Sequence, residues 1–374
     1  MEEYLAKFDD SLTPKDPVLA KQLADEDDDE ESIIKYARML QTGKNVRKVN
    51  KKEALKYYKK ASDMNNSYAM LQCALLLIEP NTSYQNRDEA KNYLKSAIAL
   101  GNYDALQTYI KENFDQLSNK ELENCYKVGA SNGTPEALEK YGEILYQNGD
   151  KVNALDYFKK AAKKRCLPAI SKAARMLDEG DGVEVNKSDA KLFFEIGIKL
   201  NDSNSMLFYA LSLLNNPYAD INIDQIVENF KNAANMMNSN AKLFYATILR
   251  NGYLNVGVNM KLARDNVNDA KNLMSIEEAK LAFNFGTKIL NDKIKVFQKK
   301  DAEVFFECAS KKGNVDAMIS YADILWNNHR ETEALKWLNR ASTESEVARE
   351  KYCNLYGVFH KLFYNLEPKR TSFV

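Results

Sequence analysis

Residues 175–205, RMLDEGDGVEVNKSDAKLFFEIGIKLNDSNS, carry the pattern that decides the fold. Ala190 and Gly197 stand seven residues apart, two turns along one helix face, with Phe193 and Phe194 between them. Ahead of them lies a loop holding Gly180 and Gly182, and ahead of that a helical pattern marked by Ala173-Ala174. Worked outward, the first pattern (helix A) recurs at Tyr36-Ala37, Cys73-Ala74, Tyr141-Gly142, Tyr209-Ala210, Tyr245-Ala246, Phe285-Gly286, Tyr321-Ala322 and Tyr356-Gly357, and Tyr109-Ile110 takes its place once. The second (helix B) recurs as Ala54 to Ala61, Ala90 to Ala97, Leu122 to Gly129, Ala154 to Ala161, Ile226 to Ala233, Ala263 to Ala270, Ala302 to Ala309 and Ala334 to Ala341. Small side chains let neighbouring helices approach closely, while aromatics such as Tyr57-Tyr58, Tyr157-Phe158, Phe305-Phe306 and Trp337 fill the adjoining grooves. Neither helix buries its apolar stripe alone, so stacking supplies the core. The expected fold is an all-α solenoid of about nine helix-turn-helix repeats.

The spacings locate the variable edge. From the last small residue of B to the small residue of the next A the count is thirteen in seven of nine cases, as from Ala61 to Ala74 and from Ala309 to Ala322, so that junction is geometrically fixed. From A to B it is twelve, as from Gly142 to Ala154, or sixteen to seventeen, as from Ala37 to Ala54, which confines insertion to the A-B loops. The run from Ala270 to Gly286 holds three extra residues, and a local change of twist is expected near 270–285 unless helix B continues there in distorted form. Repeat three, with Ile110, Leu122 and Gly129, is degenerate.

These residues resemble the Sel-one-like repeats (SLR), relatives of the tetratricopeptide repeat. Gly180 and Gly182-Val183 match the family's G-x-G-V loop, Asp189-Ala190 begins helix B, and Phe193-Phe194 takes the aromatic pair. Gly43, Val46, Glu53-Ala54 and Tyr57-Tyr58-Lys59-Lys60-Ala61 repeat the match in the first unit. Units four and nine have the short loop and look more like tetratricopeptide units. The resemblance runs from about Ser32 to Ser342.

The expected organisation is an N-terminal cap and acidic segment over 1–31, the repeat array over 32–344, a capping helix over 345–366 and a flexible tail over 367–374. Pro14 and Pro17 break the helix-like stretches of the cap. The acidic run Asp25 to Glu31 favours the N-terminus of the first repeat helix, and its sharper reading is docking to a basic partner. Leu355, Val358, Phe359, Leu362 and Phe363 give the capping helix one apolar face. The terminal Thr371-Ser372-Phe373-Val374 matches a form captured by domains that bind a C-terminal carboxylate, but as four residues reads first as a frayed tail.

Composition narrows the function. The 53 basic residues balance 53 acidic ones, which speaks against nucleic acid and anionic membrane as partners. The start, MEEYLAKFDD, has no secretory pattern, and the longest apolar run, Cys73 to Ile78, is too short to span a bilayer, so a cytoplasmic or nuclear protein is expected. Cys73, Cys125, Cys166, Cys308 and Cys353 form no CxxC pair and read as reduced, mostly packed thiols. His329 and His360 have no ligand-spaced companion, so no metal or cofactor is expected. No phosphate loop, nucleophile elbow or H-E-x-x-H helix is found, and no enzyme is expected.

The resemblance implies that helix A of each unit lines a concave face. Carried onto this chain, it puts Arg38, Gln41, Glu143, Gln147, Arg175, Glu179, Arg250, Asn251, Asp323 and Trp326 in the groove. Singly, each reads first as an ordinary solvated residue, and Trp326 reads either as a groove residue or as a core aromatic. The mixture of both charges with one Trp suits a protein or peptide partner, hence a scaffold or adaptor. The alternatives weighed are an RNA-binding helical repeat, which the neutral charge disfavours, and a hydrolase of the repeat family, for which the cysteine pairing within repeats is missing.

Overall fold

A computed structural model describes residues 17–26, 29–112, 114–115, 117–215 and 222–364. The terminal tetrapeptide and the stretch around Pro14 lie outside them. Among the described residues are twenty α-helices and no strand. The chain divides into two compact units, Met1–Ala169 and Ile170–Val374.

In the first unit, α1 (Pro17–Glu26) precedes four antiparallel pairs: α2 (Glu30–Thr42) with α3 (Lys51–Asp63), α4 (Ser67–Ile78) with α5 (Arg87–Ala99), α6 (Tyr103–Lys111) with α7 (Asn119–Ser131), and α8 (Pro135–Gln147) with α9 (Lys151–Lys163). The boundary falls within α10 (Leu167–Glu179), whose partner is α11 (Lys187–Lys199). The second unit continues with α12 (Ser203–Leu214) and α13 (Ile223–Asn235), α14 (Ser239–Asn251) and α15 (Met260–Leu273), α16 (Ile276–Leu290) and α17 (Ala302–Lys311), then α18 (Val315–Asn327) and α19 (Glu331–Ala341). It closes with α20 (Glu346–Tyr364). Each unit is a stack of helix pairs, the α-solenoid architecture.

The thirteen-residue junction has a definite chemistry. One residue in each turn from B to A takes the left-handed conformation: Asn65, Gly101, Gly133, Arg165, Asn201, Met237 and Gly313, with φ between 57° and 92°. The following Asn or Asp then caps helix A: the side chains of Asn66, Asn102, Asp202, Asn238 and Asn314 accept from the N–H groups of Ala69, Ala105, Ser205, Ala241 and Ala317. The free amide of the cap reaches back one repeat. Asn66 donates to Glu30, Asn102 to the Ser67 carbonyl at 3.1 Å, and Asn238 to Asn204 at 2.9 Å. One side chain thus starts a helix and ties it to the helix before.

The A-B loops vary in length, but six of them share one closure. The N–H at the start of helix B donates to a leucine carbonyl three residues beyond the small residue of helix A: Asn50 to Leu40, Asn86 to Leu77, Asp150 to Leu145, Asn186 to Leu177, Asn259 to Leu249 and Arg330 to Leu325, all at 2.8–2.9 Å. Gly180, at φ 69°, lies so close to Val185 that a Cβ there would come within 2.5 Å of the valine methyl, which explains the glycine of the long-loop motif.

Small residues stand where helices touch. Ala37, Ala74, Ala174, Ala210 and Ala322 on A, and Ala54, Ala61, Ala154, Ala161, Ala190 and Ala309 on B, are wholly buried. Repeat three breaks the rule: α6 is only nine residues long, and Ile110 is 55% exposed where the other A helices bury alanine or glycine. Between Ala270 and Gly286 the three extra residues go into helix rather than loop. Helix α15 has 14 residues and α16 has 15, and the linking Met274-Ser275 has no left-handed residue; a Ser275–Glu278 capping box starts α16 instead. Helix α15 is regular, so the distorted-helix alternative does not hold.

At the N-terminal edge Asp29 caps α2 by accepting from the Ser32 N–H at 2.9 Å, with Glu30 and Glu31 in the first turn. At the C-terminal edge Ala348 is buried and Tyr352 and Leu355 pack on the core of the second unit, while Val358 is 47% exposed. Cys73, Cys125 and Cys308 are buried, and burial pushes their thiols up to about 12, 11 and 12. Native chain treated with a thiol reagent at pH 8 is therefore expected to label fast at exposed Cys353, slower at half-buried Cys166, and at the other three only after denaturant is added. Rapid native labelling of Cys73 would contradict this packing.

Candidate functional site

The ten residues expected in the groove sit differently in the two units. In the first, Arg38 on α2 is half-buried, and Gln41 accepts from the Tyr58 hydroxyl at 2.7 Å while its amide donates to Gln72 on α4 at 3.3 Å. Burial raises the Tyr58 hydroxyl far above the ordinary phenol range, so it stays a neutral donor. Leu75, one residue past Ala74 and so in the register of Arg38, is 41% exposed. With Ile110 on α6 it leaves two aliphatic side chains open to solvent on consecutive A helices. On α8, Glu143 pairs with Lys140 at 2.8 Å and Gln147 is exposed. Desolvation opposes the Lys140 charge, but hydrogen bonds and attraction from Glu143 and Glu139 outweigh it and hold the ammonium above its usual range.

In the second unit the corresponding residues meet the chain's own groups. The Arg175 guanidinium lies over the Phe208 ring at 5.1 Å, and Phe208 in turn lies 6.3 Å from Phe285. Glu179 on α10 pairs with Lys288 on α16 at 2.8 Å, joining residues 109 apart in sequence. Arg250 and Asn251, at the end of α14, both donate to the carboxylate of buried Asp301, at 3.1 and 3.0 Å. Asp323 pairs with Lys351 of α20 at 2.5 Å, and Trp326 is half-buried against the core.

The structure brings Arg250 and Asn251 together on one carboxylate, links Glu179 to α16, and ties Asp323 to the terminal helix. Leu75 and Asp301 were not singled out from the sequence. The register of Arg38 and Arg175 pointed to Leu75; for Asp301, whose donors lie 50 and 51 residues away, no local pattern gives a signal.

Among the described residues no group of three His, Cys, Asp or Glu is placed to hold a metal ion, and no helix is long and apolar enough to cross a membrane.

The Sel1 repeat family model matches residues 31–66, 67–102, 135–165, 167–202 and 328–345. These are pairs one, two, four and five and the region of α19; pairs three, six, seven and eight lie outside the matches. No curated protein matches the chain. Among solved structures, a protective antigen of uropathogenic Escherichia coli displaying an SLR fold aligns with a TM-score of 0.52 at 14% identity, over 92% of this chain and 88% of its own. A Sel1 repeat protein from Oxalobacter formigenes aligns with a TM-score of 0.38 at 19% identity, over 67% of this chain and 90% of its own. The first likeness, at that identity, speaks to the fold alone.

Proposed function

We propose that this chain, which carries Sel1 repeats, is a protein-binding scaffold that holds its partner on the A-helix face of its first unit. The observation that supports this reading is the contrast between the two faces. In the second unit Arg175, Glu179, Arg250 and Asn251 are engaged by Phe208, Lys288 and Asp301, whereas in the first Leu75 and Ile110 stay exposed on α4 and α6, in the unit that also holds half-buried Arg38 and exposed Gln147. Exposed aliphatic side chains on A helices of a unit whose A helices also carry a guanidinium and amides suit the apolar anchor and polar rim of a protein interface.

The test begins from a photo-activatable cross-linker placed at Leu75, at Ile110 and, as a control, at Val152 on α9, which is 66% exposed. In extract from the native cell the first two positions are expected to capture the same protein and the third to miss it. Leu75→Asp with Arg38→Glu is then expected to weaken that capture by about tenfold or more, with the melting curve unchanged because both side chains are partly or largely open to solvent. Equal capture from Val152, or binding lost only together with folding, would remove the site from this face.

A further inference from the structure

The long A-B loop of the eighth pair, Asn291–Asp301, is a strap over the seventh. Its Ile294 and Phe297 are 1% and 3% exposed. The Phe297 ring lies 5.5 Å from Phe244 on α14 and 5.6 Å from Tyr253 in the loop after it. Asp301, wholly buried, closes the strap: one carboxylate oxygen accepts from Arg250 and Asn251, and the other from the Tyr253 hydroxyl at 2.7 Å and the Gln298 N–H at 2.9 Å.

Asp301 immediately precedes helix B, the place from which Asn50, Asn86 and Asn186 cap their own helices. It makes no such bond to α17. Its carboxylate serves a guanidinium, an amide and a phenol supplied by the preceding repeat. Two strap groups, a ring and a carboxylate four residues on, meet a set of receptor groups lying wholly on α14 and its loop. The strap's exposed side chains are polar, Lys293, Lys295, Gln298, Lys299 and Lys300, while half-buried Val296 packs on the core with Ile294 and Phe297.

We propose that the strap is an internal ligand, and that the face it covers is a docking site for a protein segment carrying an aromatic ring followed four residues later by Asp or Glu. This rests on the scaffold reading and adds a second face to it, one whose ligand chemistry the chain itself displays. A partner reaches the site only in the fraction of molecules whose strap is lifted, and its apparent affinity is reduced by that fraction.

The test uses the full chain and a fluorescent peptide of the strap, NDKIKVFQKKDA. Phe297→Ala with Asp301→Ala in the chain lifts the strap, and this variant is expected to bind the peptide at least about tenfold tighter than the unaltered chain does, by anisotropy. Adding Arg250→Ala to the chain, or replacing the aspartate nearest the end of the peptide by alanine, is expected to reverse the gain. Equal binding by the altered and unaltered chains, or binding indifferent to Arg250, overturns the proposal. So does loss of the cooperative helical melt in the double variant, since the strap is then core and not ligand. Because this assay uses no residue of the first unit, its failure leaves capture at Leu75 standing, and failure at Leu75 leaves the strap result readable.

Discussion

Gly197→Val is expected to lower the unfolding free energy by about 3 kcal/mol, the upper part of the range for overpacked cores. Gly197 lies inside α11 where α12 crosses it, and a Cβ there would come within 2.0 Å of the Ser205 Oγ and 2.5 Å of its Cβ. The Oγ could rotate away only by giving up its 2.6 Å bond to Asp202, and the Cβ cannot move without α12. The Gly197 carbonyl also accepts from the N–H groups of Leu200 and Asp202, which fixes the turn between the two helices. Alanine at this position gains about 1 kcal/mol of helix propensity, which offsets part of the clash, so Gly197→Ala is expected to be the milder change. Gly257, with nothing within 4 Å of an added Cβ, is the control, and Gly257→Ala should stay within about 0.5 kcal/mol of the parent. Urea unfolding followed by helical circular dichroism reads all three; a parental midpoint for Gly197→Val would mean that the helices do not meet there as closely as the contacts require.

That clash was legible in part from the sequence, because Gly197 falls on the same register as Ala61 and Ala161 and small residues seven apart mark a shared face. The constant junction was legible as a count; its cause, a left-handed residue followed by a capping Asn or Asp that also grips the previous repeat, became visible only in the bonds. Local periodicity reports which side of a helix a residue occupies. It does not report what lies against that side. The family resemblance and helix register put Arg250 and Asn251 on the A face, and the carboxylate that receives them arrives from Asp301, in the loop of the next pair. Glu179 meets Lys288 across three repeats, a contact set by how the second unit curves rather than by any spacing. Leu75 shares the register of Arg38, yet an apolar residue in a helical pattern reads as core, and only exposure distinguishes one left open.

Phe244→Ala is expected to cost the most of any single truncation in the second unit, about 3–5 kcal/mol. Its ring is wholly buried and meets four others: Phe230 at 5.3 Å, Phe285 at 5.0 Å, Phe297 at 5.5 Å and Phe305 at 4.8 Å. These come from α13, α16, the strap and α17, so one side chain joins three pairs and their connecting loop. The cavity it leaves is held open, because α14 is capped at Asn238 and bound through its buried alanines to the helices around it. Phe208→Ala is the comparison: that ring is only partly buried, and its loss should cost clearly less. The strap gives the prediction a second edge. If Phe297 draws its hold mainly from Phe244, then Phe297→Ala made on top of Phe244→Ala costs less than Phe297→Ala alone, with a coupling of about 0.5–1.5 kcal/mol expected for an aromatic pair. Strict additivity in that double-mutant cycle would place the strap's anchor elsewhere, on Tyr253 and the Asp301 carboxylate, and would leave the ring cluster as core alone.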